Sequence, residues 1–332
     1  MRLNFITNIK TSMMIMVVFY HCCMFYTGNW VKVFDVTGDE RIIAFTAWLN
    51  SFHVPAFVMA SGYLLYYLAV EKKHYFSTKD FLGRKVQRIL KPYVLTSLLW
   101  VCPIHYFLFG GSGSDFFYKY VLGISPSQLW FLLMLWWLLV GFYLALSRRM
   151  LMFGKRDVII CVLLFAGGVL FARLAHNMLQ IGSAMQMSIY FYFGCYLRYK
   201  KLQPARNKVF VATLLALVSG YTVLFAEVRY IAGMIKPVFT LAELYLIYCL
   251  GQITVEAYLF KTNLWRELSR TSYEIFLIHQ QIIYFCIRVF HPRLSMWETI
   301  ACTFMTTMVV SWLICWGVDG IARRGRGVFG KV

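Results

Sequence analysis

The chain has 332 residues, of which 60% are hydrophobic and 14% charged, and its formal net charge is +19. Soluble globular proteins carry a charge on about a quarter of their residues, so this composition excludes an ordinary soluble domain and indicates a polytopic membrane protein. A strongly positive charge can also indicate a nucleic-acid-binding protein, but its distribution along this chain gives another explanation.

Ten apolar segments are long enough to cross about 30 Å of hydrocarbon as helices. In chain order, these predicted spans are 11–28, 43–70, 92–110, 128–147, 157–174, 181–199, 208–226, 236–259, 272–290 and 297–316. The two terminal segments and alternate loops hold 25 of the 33 lysines and arginines, and the intervening loops hold 8. By the positive-inside rule, the sequence predicts an all-α integral membrane protein with both termini cytoplasmic, and no nucleic-acid partner.

The connections between spans are short, which predicts a single membrane domain over residues 1–332 with no fused extracytoplasmic domain. The first span lacks a small-residue cleavage site, so we expect a retained anchor. All nine cysteines lie in apolar segments, and none forms a Cys-x-x-Cys pair. We therefore predict buried, reduced thiols and no metal site.

The first span carries Lys10 at its start and His21 near mid-membrane, in the stretch KTSMMIMVVFYH. Eleven residues of α-helix advance about 16 Å and return to within about 20° of the same face. Ionisable groups at membrane depth are costly and usually face the interior of the helix bundle, so His21 is a candidate site residue. Two interpretations stay open: a hydrogen-bonded packing residue, or a general base that burial keeps neutral.

The second span contains His53 and Pro55 in SFHVPAF, followed by Ser61 and Gly62 in ASGY. Pro55 must kink the helix and leave a backbone group in need of a partner. His53 is either that partner or a site residue. Ser61 lacks the surroundings of a catalytic serine, so we predict that it and Gly62 permit close helix contact.

The segment after the second span, 70–93, holds seven basic residues against two acidic ones. Its second half places four cations at spacings of three and four, which puts several on one helix face: Arg84, Lys85, Arg88 and Lys91. This segment is either a basic helix on anionic lipid or a cradle for a phosphorylated ligand.

Two later spans contain further ionisable groups. Glu243 lies well inside its apolar segment and must be protonated or paired, with Arg173 and Lys236 as candidate partners. Glu256 lies nearer the end of the same predicted span. His279 lies about two turns into its own span, so we expect it to approach the depth of His21 from another side.

Six motifs occur in a recognisable order. They are Lys10 and His21 at a separation of eleven, FHVPAFVMASGYL (52–64), GRKVQRILKPY (83–93), SQLWFLLMLWWL (127–138), YFYFGCYL (190–197) and SYEIFLIH (272–279). Together they resemble the membrane-bound acyltransferase-3 family, the O-acyltransferases that modify bacterial cell-surface carbohydrates. Gln128 stands where histidine is common in that family, and Lys85 with Arg88 corresponds to its Arg-x-x-Arg pair.

The resemblance implies a membrane O-acyltransferase in the bacterial inner membrane. It would transfer an acetyl group from cytoplasmic acetyl-CoA to a hydroxyl of a cell-surface or lipid-linked carbohydrate, with no permanently bound cofactor. The expected partners are acyl-CoA, the carbohydrate acceptor and membrane lipids, and a homo-oligomer stays open. The CoA phosphates would meet four cations, Lys10, Arg84, Lys85 and Arg88. The pantetheine arm, about 15–20 Å long, would bring the thioester to His21.

The resemblance also assigns roles at the reacting end. His21 acts either as general base or as acyl carrier, and His279 or another donor stabilises the oxyanion. We expect the acceptor to bind over the aromatic Gln-Leu-Trp-Phe edge, and the candidate substrate-binding residues are His53, Gln128, Trp130 and Glu243. The main alternative is a transporter or flippase for a glycolipid or polysaccharide precursor, although the two halves of the chain show no convincing repeat.

Overall fold

The computed structural model describes residues 4–28, 30, 34, 36, 38–225 and 229–328, with the backbone alone at 221–225, 229–235 and 319–328. In this part of the chain the regular elements are all helices, which confirms the all-α prediction. The α-helices are α1 (Asn4–Met24), α2 (Glu40–Tyr66), α3 (Thr78–Lys85), α4 (Lys91–Thr96), α5 (Cys102–Phe109), α6 (Gly113–Phe116), α7 (Trp130–Ser147), α8 (Lys155–Leu174), α9 (Ile181–Tyr199), α10 (Arg206–Phe225), α11 (Arg229–Ile253), α12 (Asn263–Phe290) and α13 (Met296–Val328).

Six helical runs among the described residues are long and apolar enough to cross a membrane. They are Asn4–Thr27, Glu40–Glu71, Thr78–Phe109, Ser127–Ser147, Lys155–Leu174 and Met296–Val318. The other four predicted segments fall on α9 to α12, of which α9 and α12 carry polar side chains along much of their length and α10 and α11 are described only in part. The count of ten spans and the cytoplasmic termini therefore stay predictions.

The eighth predicted span, 236–259, was placed too far along the chain. Helix α11 ends at Ile253, and the chain then turns through residues 254–257. Glu256 consequently lies outside the helix, where its exposed carboxylate pairs with Lys261 at 2.8 Å. All nine cysteines are described and are free, and seven are buried as predicted, whereas Cys102 and Cys302 are partly exposed.

The chain divides into two compact units, Met1–Asn50 with Thr254–Val332 and Ser51–Ile253, and the boundary within α2 falls after Asn50. The prediction of one membrane domain stays a prediction. In the first unit, α1 packs against α12 and α13. In the second, α9 packs against α7 and α8, and α10 packs against α11.

Hydrogen bonds at matching positions hold α1 beside α12. The indole N–H of Trp265 donates to Asn8 Oδ1 at 3.0 Å, and the Thr11 hydroxyl donates to Ser269 Oγ at 3.0 Å. The two pairs are 257 and 258 residues apart in sequence. Because the residue numbers rise together, α1 and α12 run parallel, and side chains about 258 positions apart meet along their contact.

Two glycines allow α2 and α9 to touch at backbone distance. A Cβ on Gly62 would lie 2.1 Å from the carbonyl oxygen of Phe191, and a Cβ on Gly194 would lie 1.9 Å from that of Met59. Real Cβ atoms do not approach a carbonyl oxygen this closely, so any larger residue must separate the helices. The prediction that Gly62 serves close helix contact is confirmed. Ser61, beside it, donates to the carbonyl of Phe57 within its own helix at 2.8 Å.

Two prolines explain the irregular helical run from α3 to α5. A π-helical turn at Val86–Leu90 ends two residues before Pro92, and another at Ser97–Val101 ends two residues before Pro103. Proline has no N–H, and its ring clashes with the carbonyl four residues earlier, so a wider turn accommodates it without ending the helix. The run therefore continues through both prolines to Phe109.

Candidate active site

The structure brings His21 of α1 and His279 of α12 together, as their expected common depth predicted. His21 Nδ1 lies 2.7 Å from His279 Nε2, and the two rings are nearly parallel, with centroids 5.0 Å apart. The position of His279 follows from the parallel packing of α1 and α12, because the pair is also separated by 258 residues. His279 is completely buried, whereas His21 is partly exposed.

Backbone carbonyls fix the protons of this pair. His279 Nδ1 lies 2.8 Å from the carbonyl oxygen of Phe276 and 3.2 Å from that of Ile275. A carbonyl can only accept, so Nδ1 of His279 carries the proton and, in the neutral ring, Nε2 carries the lone pair. His21 therefore donates from Nδ1 to His279, which leaves the lone pair of neutral His21 on Nε2.

Aromatic side chains enclose the histidine pair, and the sequence did not identify them. The ring of Trp30 lies parallel to that of His21, at a centroid distance of 5.9 Å and an angle of 10°. Tyr284 lies against Trp30 at 5.2 Å, and its hydroxyl accepts from Gln280 Nε2 at 2.6 Å. Trp30 follows the end of α1, outside any helical repeat, so spacing could not have connected it with His21.

Lys10 lies on α1 between two residues that form hydrogen bonds with α12. Asn8 and Thr11 are the α1 members of those contacts and are buried, while Lys10 itself is partly exposed. Regular helix from Asn4 to Met24 preserves the predicted rise of about 16 Å between Lys10 and His21.

The basic residues of the second unit form a cluster, but they differ in their surroundings. Arg84 is exposed, donates to Asp80 at 2.8 Å, and has Nη1 3.1 Å from His74 Nε2. The Lys85 ammonium lies over two aromatic rings, 5.3 Å from the centroid of Tyr75 and 5.4 Å from that of Phe81. Arg88 is exposed, and its charge and that of Arg84 both act on Lys85. Of the cations predicted to share one helix face, Arg84 and Arg88 are thus exposed, whereas Lys85 lies against aromatic rings.

Glu243 has different partners from those predicted. Its carboxylate accepts from the Ser51 hydroxyl at 2.9 Å and from the Ser219 hydroxyl at 2.8 Å, and all three side chains are buried. Lys236 is near enough for its charge to act on the carboxyl, while Arg173 is exposed at the end of α8. Serines were overlooked because small hydroxyl residues are common in apolar helices and give no signal of their own.

The backbone group that Pro55 leaves without a donor is the carbonyl of Ser51, four residues earlier. It accepts from the Thr240 hydroxyl at 3.1 Å, so α11 supplies the hydrogen bond that Pro55 cannot make. His53 lies between Ser51 and Pro55 in α2 and is 2% exposed. Thr240 thus takes the role that the sequence offered to His53.

Gln128 and Trp130 lie where the chain enters α7. Gln128 is buried in a short 3₁₀ turn, Ser127–Leu129, and Trp130 begins the helix with its side chain partly exposed. The Trp130 ring stands edge-on to Phe131 at 6.3 Å, and Phe131 contacts Phe57 of α2 at 5.7 Å. Gln128 and Leu129 of the predicted Gln-Leu-Trp-Phe edge are therefore buried, and binding of the acceptor there stays a prediction.

The predicted site residues fall in both units. Lys10, His21 and His279 belong to the first, and the remaining predicted residues belong to the second. Among the described residues, no group of three or more His, Cys, Asp or Glu side chains is suited to hold a metal ion.

Comparison with known proteins gives one match. A family model described as an acyltransferase domain matches residues 3–316, nearly the whole chain. No curated protein and no solved structure matches.

Proposed function

We propose, because the chain belongs to the acyltransferase-3 family, that it moves an acetyl group from acetyl-CoA to a hydroxyl of a cell-surface or lipid-linked carbohydrate. The family match confirms the resemblance seen in the sequence, and together with the apolar helices it makes the protein an integral membrane acyltransferase. It also favours the acyltransferase over the transporter. The acetyl donor, the carbohydrate acceptor and the bacterial inner membrane belong to the proposal.

The contact between His21 and His279 is the observation that supports this function most directly. A histidine whose Nδ1 proton is held by a second residue presents its Nε2 lone pair in a fixed direction, which is what a general base requires. His279 in turn receives its orientation from the carbonyl of Phe276. Because both ring nitrogens of His279 are engaged in this arrangement, we propose it as the residue that positions His21.

The reaction needs one proton transfer at each end. His21 Nε2 takes the proton of the acceptor hydroxyl as its oxygen attacks the thioester carbonyl and the new C–O bond forms. The tetrahedral intermediate then collapses with cleavage of the C–S bond, and the His21 imidazolium returns the proton to the departing thiolate of CoA. General-base catalysis of this kind contributes about 10²–10⁴-fold to the rate.

An acyl carrier would use the same lone pair, with His21 Nε2 attacking the thioester first. The two mechanisms differ in whether CoA is released before the acceptor binds. A stoichiometric burst of free CoA in rapid-quench experiments without acceptor supports the carrier. Release of CoA only after acceptor is added supports the general base.

We propose cationic side chains for the phosphate groups of the donor. Lys10 suits this role because it precedes His21 by about 16 Å on the same helix, a distance comparable with a pantetheine arm. Arg84, Lys85 and Arg88 supply a second cationic cluster, in which the exposed guanidinium of Arg88 can bind phosphate through two N–H groups.

We propose Gln128 and Trp130 for the acceptor, since the partly exposed indole of Trp130 suits a sugar ring and the Gln128 amide lies two residues before it. The two serine contacts of Glu243 favour internal pairing over substrate binding. The buried position of His53, two residues before Pro55, likewise favours packing.

Substitution of His21 tests the proposed function. The full-length protein is reconstituted in vesicles with labelled acetyl-CoA and a surface-glycan extract, and acetyl esters are measured by mass spectrometry. We expect His21→Ala and His21→Gln to lower the rate of acetyl transfer by about 10²–10⁴-fold, while His176→Ala, at an exposed histidine in a loop, retains it. Full activity of a correctly inserted His21→Gln protein would refute the catalytic role.

A further inference from the structure

A cavity with a few polar side chains lies in the second unit, where the helical run Thr78–Phe109 ends. It has a volume of about 470 Å³. Its walls are formed by α5, the loop after Phe109, α6 and the following π-helical turn, Phe117–Val121. The Tyr93 hydroxyl donates to the carbonyl of Tyr120 at 2.6 Å and so fixes that turn to α4. The cavity is therefore part of a packed structure.

The cavity contains a histidine with a buried donor. Lys119 Nζ lies 3.4 Å from His105 Nε2. An ammonium can only donate, so Nε2 carries the lone pair and the neutral ring carries its proton on Nδ1. His105 Nδ1 is buried and, among the described residues, has no hydrogen-bond partner. Lys119 Nζ lies beside His105, and the remaining protons of its ammonium are donors suited to an oxygen of an anion.

A carboxylate lines the same cavity. Asp115 accepts from the backbone N–H of Ser112 at 2.9 Å and from its hydroxyl at 2.8 Å. These hydrogen bonds hold the pKa of Asp115 below its ordinary value, so the group is ionised at neutral pH. A ligand that fits the cavity therefore needs an anionic group for Lys119 and a cationic group for Asp115.

The position of the cavity identifies where such a ligand is found. It lies at the end of a candidate membrane span, which is the depth of lipid head groups. Leu98 and Tyr106 line it and are 50% and 67% exposed, and their neighbours Leu99 and Phe107 are 74% and 78% exposed. Apolar side chains exposed along a span contact acyl chains, so a head group in the cavity would have its chains beside them.

We propose that this cavity binds an aminoalkyl phosphate ester, such as the head group of phosphatidylethanolamine. The phosphate receives hydrogen bonds from the Lys119 ammonium, which His105 Nε2 holds in place, and the ammonium of the ligand pairs with Asp115. The apolar side chains beside the cavity favour the lipid over a soluble ester of the same chemistry.

Native mass spectrometry of the delipidated full-length protein tests the proposal. The protein is titrated with short-chain phosphatidylethanolamine, phosphatidylglycerol and phosphatidylcholine, and with soluble glycerophosphoethanolamine. We expect one molecule of phosphatidylethanolamine to bind, at least tenfold more tightly than phosphatidylglycerol, which lacks the amine. Lys119→Gln and His105→Ala act on the phosphate that these lipids share, so each should weaken the binding of both lipids at least tenfold, while Lys155→Ala, at an exposed lysine elsewhere in the unit, should bind as the wild type does.

Asp115→Asn separates the two halves of the site, because asparagine can still accept from Ser112. We expect it to bind phosphatidylethanolamine, phosphatidylglycerol and phosphatidylcholine with similar affinity. Binding of glycerophosphoethanolamine with the same dependence on Lys119 and Asp115 also supports the site. Whichever of the lipid and the soluble ester binds more tightly is identified as the source of the bound head group. Equal affinity of the wild type for phosphatidylethanolamine and phosphatidylglycerol, or unchanged binding by Lys119→Gln, would overturn the proposal.

Discussion

Removal of the imidazole that holds His21 should reduce the rate of acetyl transfer without changing the donor site. In His279→Ala, the Nδ1 proton of His21 loses an acceptor at 2.7 Å. As His21 becomes an imidazolium in the transition state, its hydrogen bond to His279 becomes charge-assisted and contributes about 1–3 kcal/mol, and each 1.36 kcal/mol corresponds to a factor of ten in rate. We therefore expect kcat to fall about 5- to 150-fold, which is less than the loss expected for His21→Ala.

A matched pair of amides distinguishes the positioning role from a general effect on packing. The amide of His279→Gln reaches the place of Nε2 and offers His21 an acceptor oxygen, whereas that of His279→Asn reaches only the place of Nδ1. We expect the Gln protein to keep several times more activity than the Asn protein, with KM for acetyl-CoA unchanged in both. Steady-state kinetics in vesicles measure both constants. Equal activity of the two amide variants, or a loss confined to KM, would contradict the positioning role.

Three further predictions concern the second unit. Arg88→Ala should weaken acetyl-CoA binding in a titration, and more so at low salt, whereas Lys79→Ala should not. Equal affinity of the Arg88→Ala and Lys79→Ala proteins for acetyl-CoA would exclude Arg88 from the donor site. Glu243→Leu leaves two buried serine hydroxyls without their acceptor and should lower the thermal unfolding temperature in detergent, while Glu243→Gln should lower it less. Thr240→Val should be destabilising by about 1–3 kcal/mol, and much less so together with Pro55→Ala, which restores a backbone N–H; additive effects of the two substitutions would contradict the shared hydrogen bond.

The sequence predicted the parts of the fold and site that depend on position along one helix. Composition and charge distribution indicated a helical membrane protein, and the spacing of Lys10 and His21 placed a cation and an imidazole on one face. The small residue Gly62 correctly indicated close helix packing. These inferences succeed because helical geometry is local and regular.

Partners between helices could not be predicted, since they depend on how the helices pack. Glu243 was expected to be protonated or paired, with Arg173 and Lys236 as candidate partners, and its carboxyl group accepts from two serines. His53 was offered as the partner of the backbone near Pro55, but Thr240 makes the bond to Ser51. A hydroxyl is common in apolar helices, and only the folded chain shows which one meets a carboxylate.

The parallel arrangement of α1 and α12 has a consequence for how the protein is made. The 258 residues between the two histidines take about 10–50 s to synthesise at 5–20 residues per second. During that interval α1 is in the membrane before its partner exists, so Asn8, Thr11 and His21 must be tolerated there as uncharged polar groups on a single helix. A chain that stalls before α12 therefore contains His21 but not His279, which accepts its Nδ1 proton, and we expect such an incomplete translation product to consume little acyl donor.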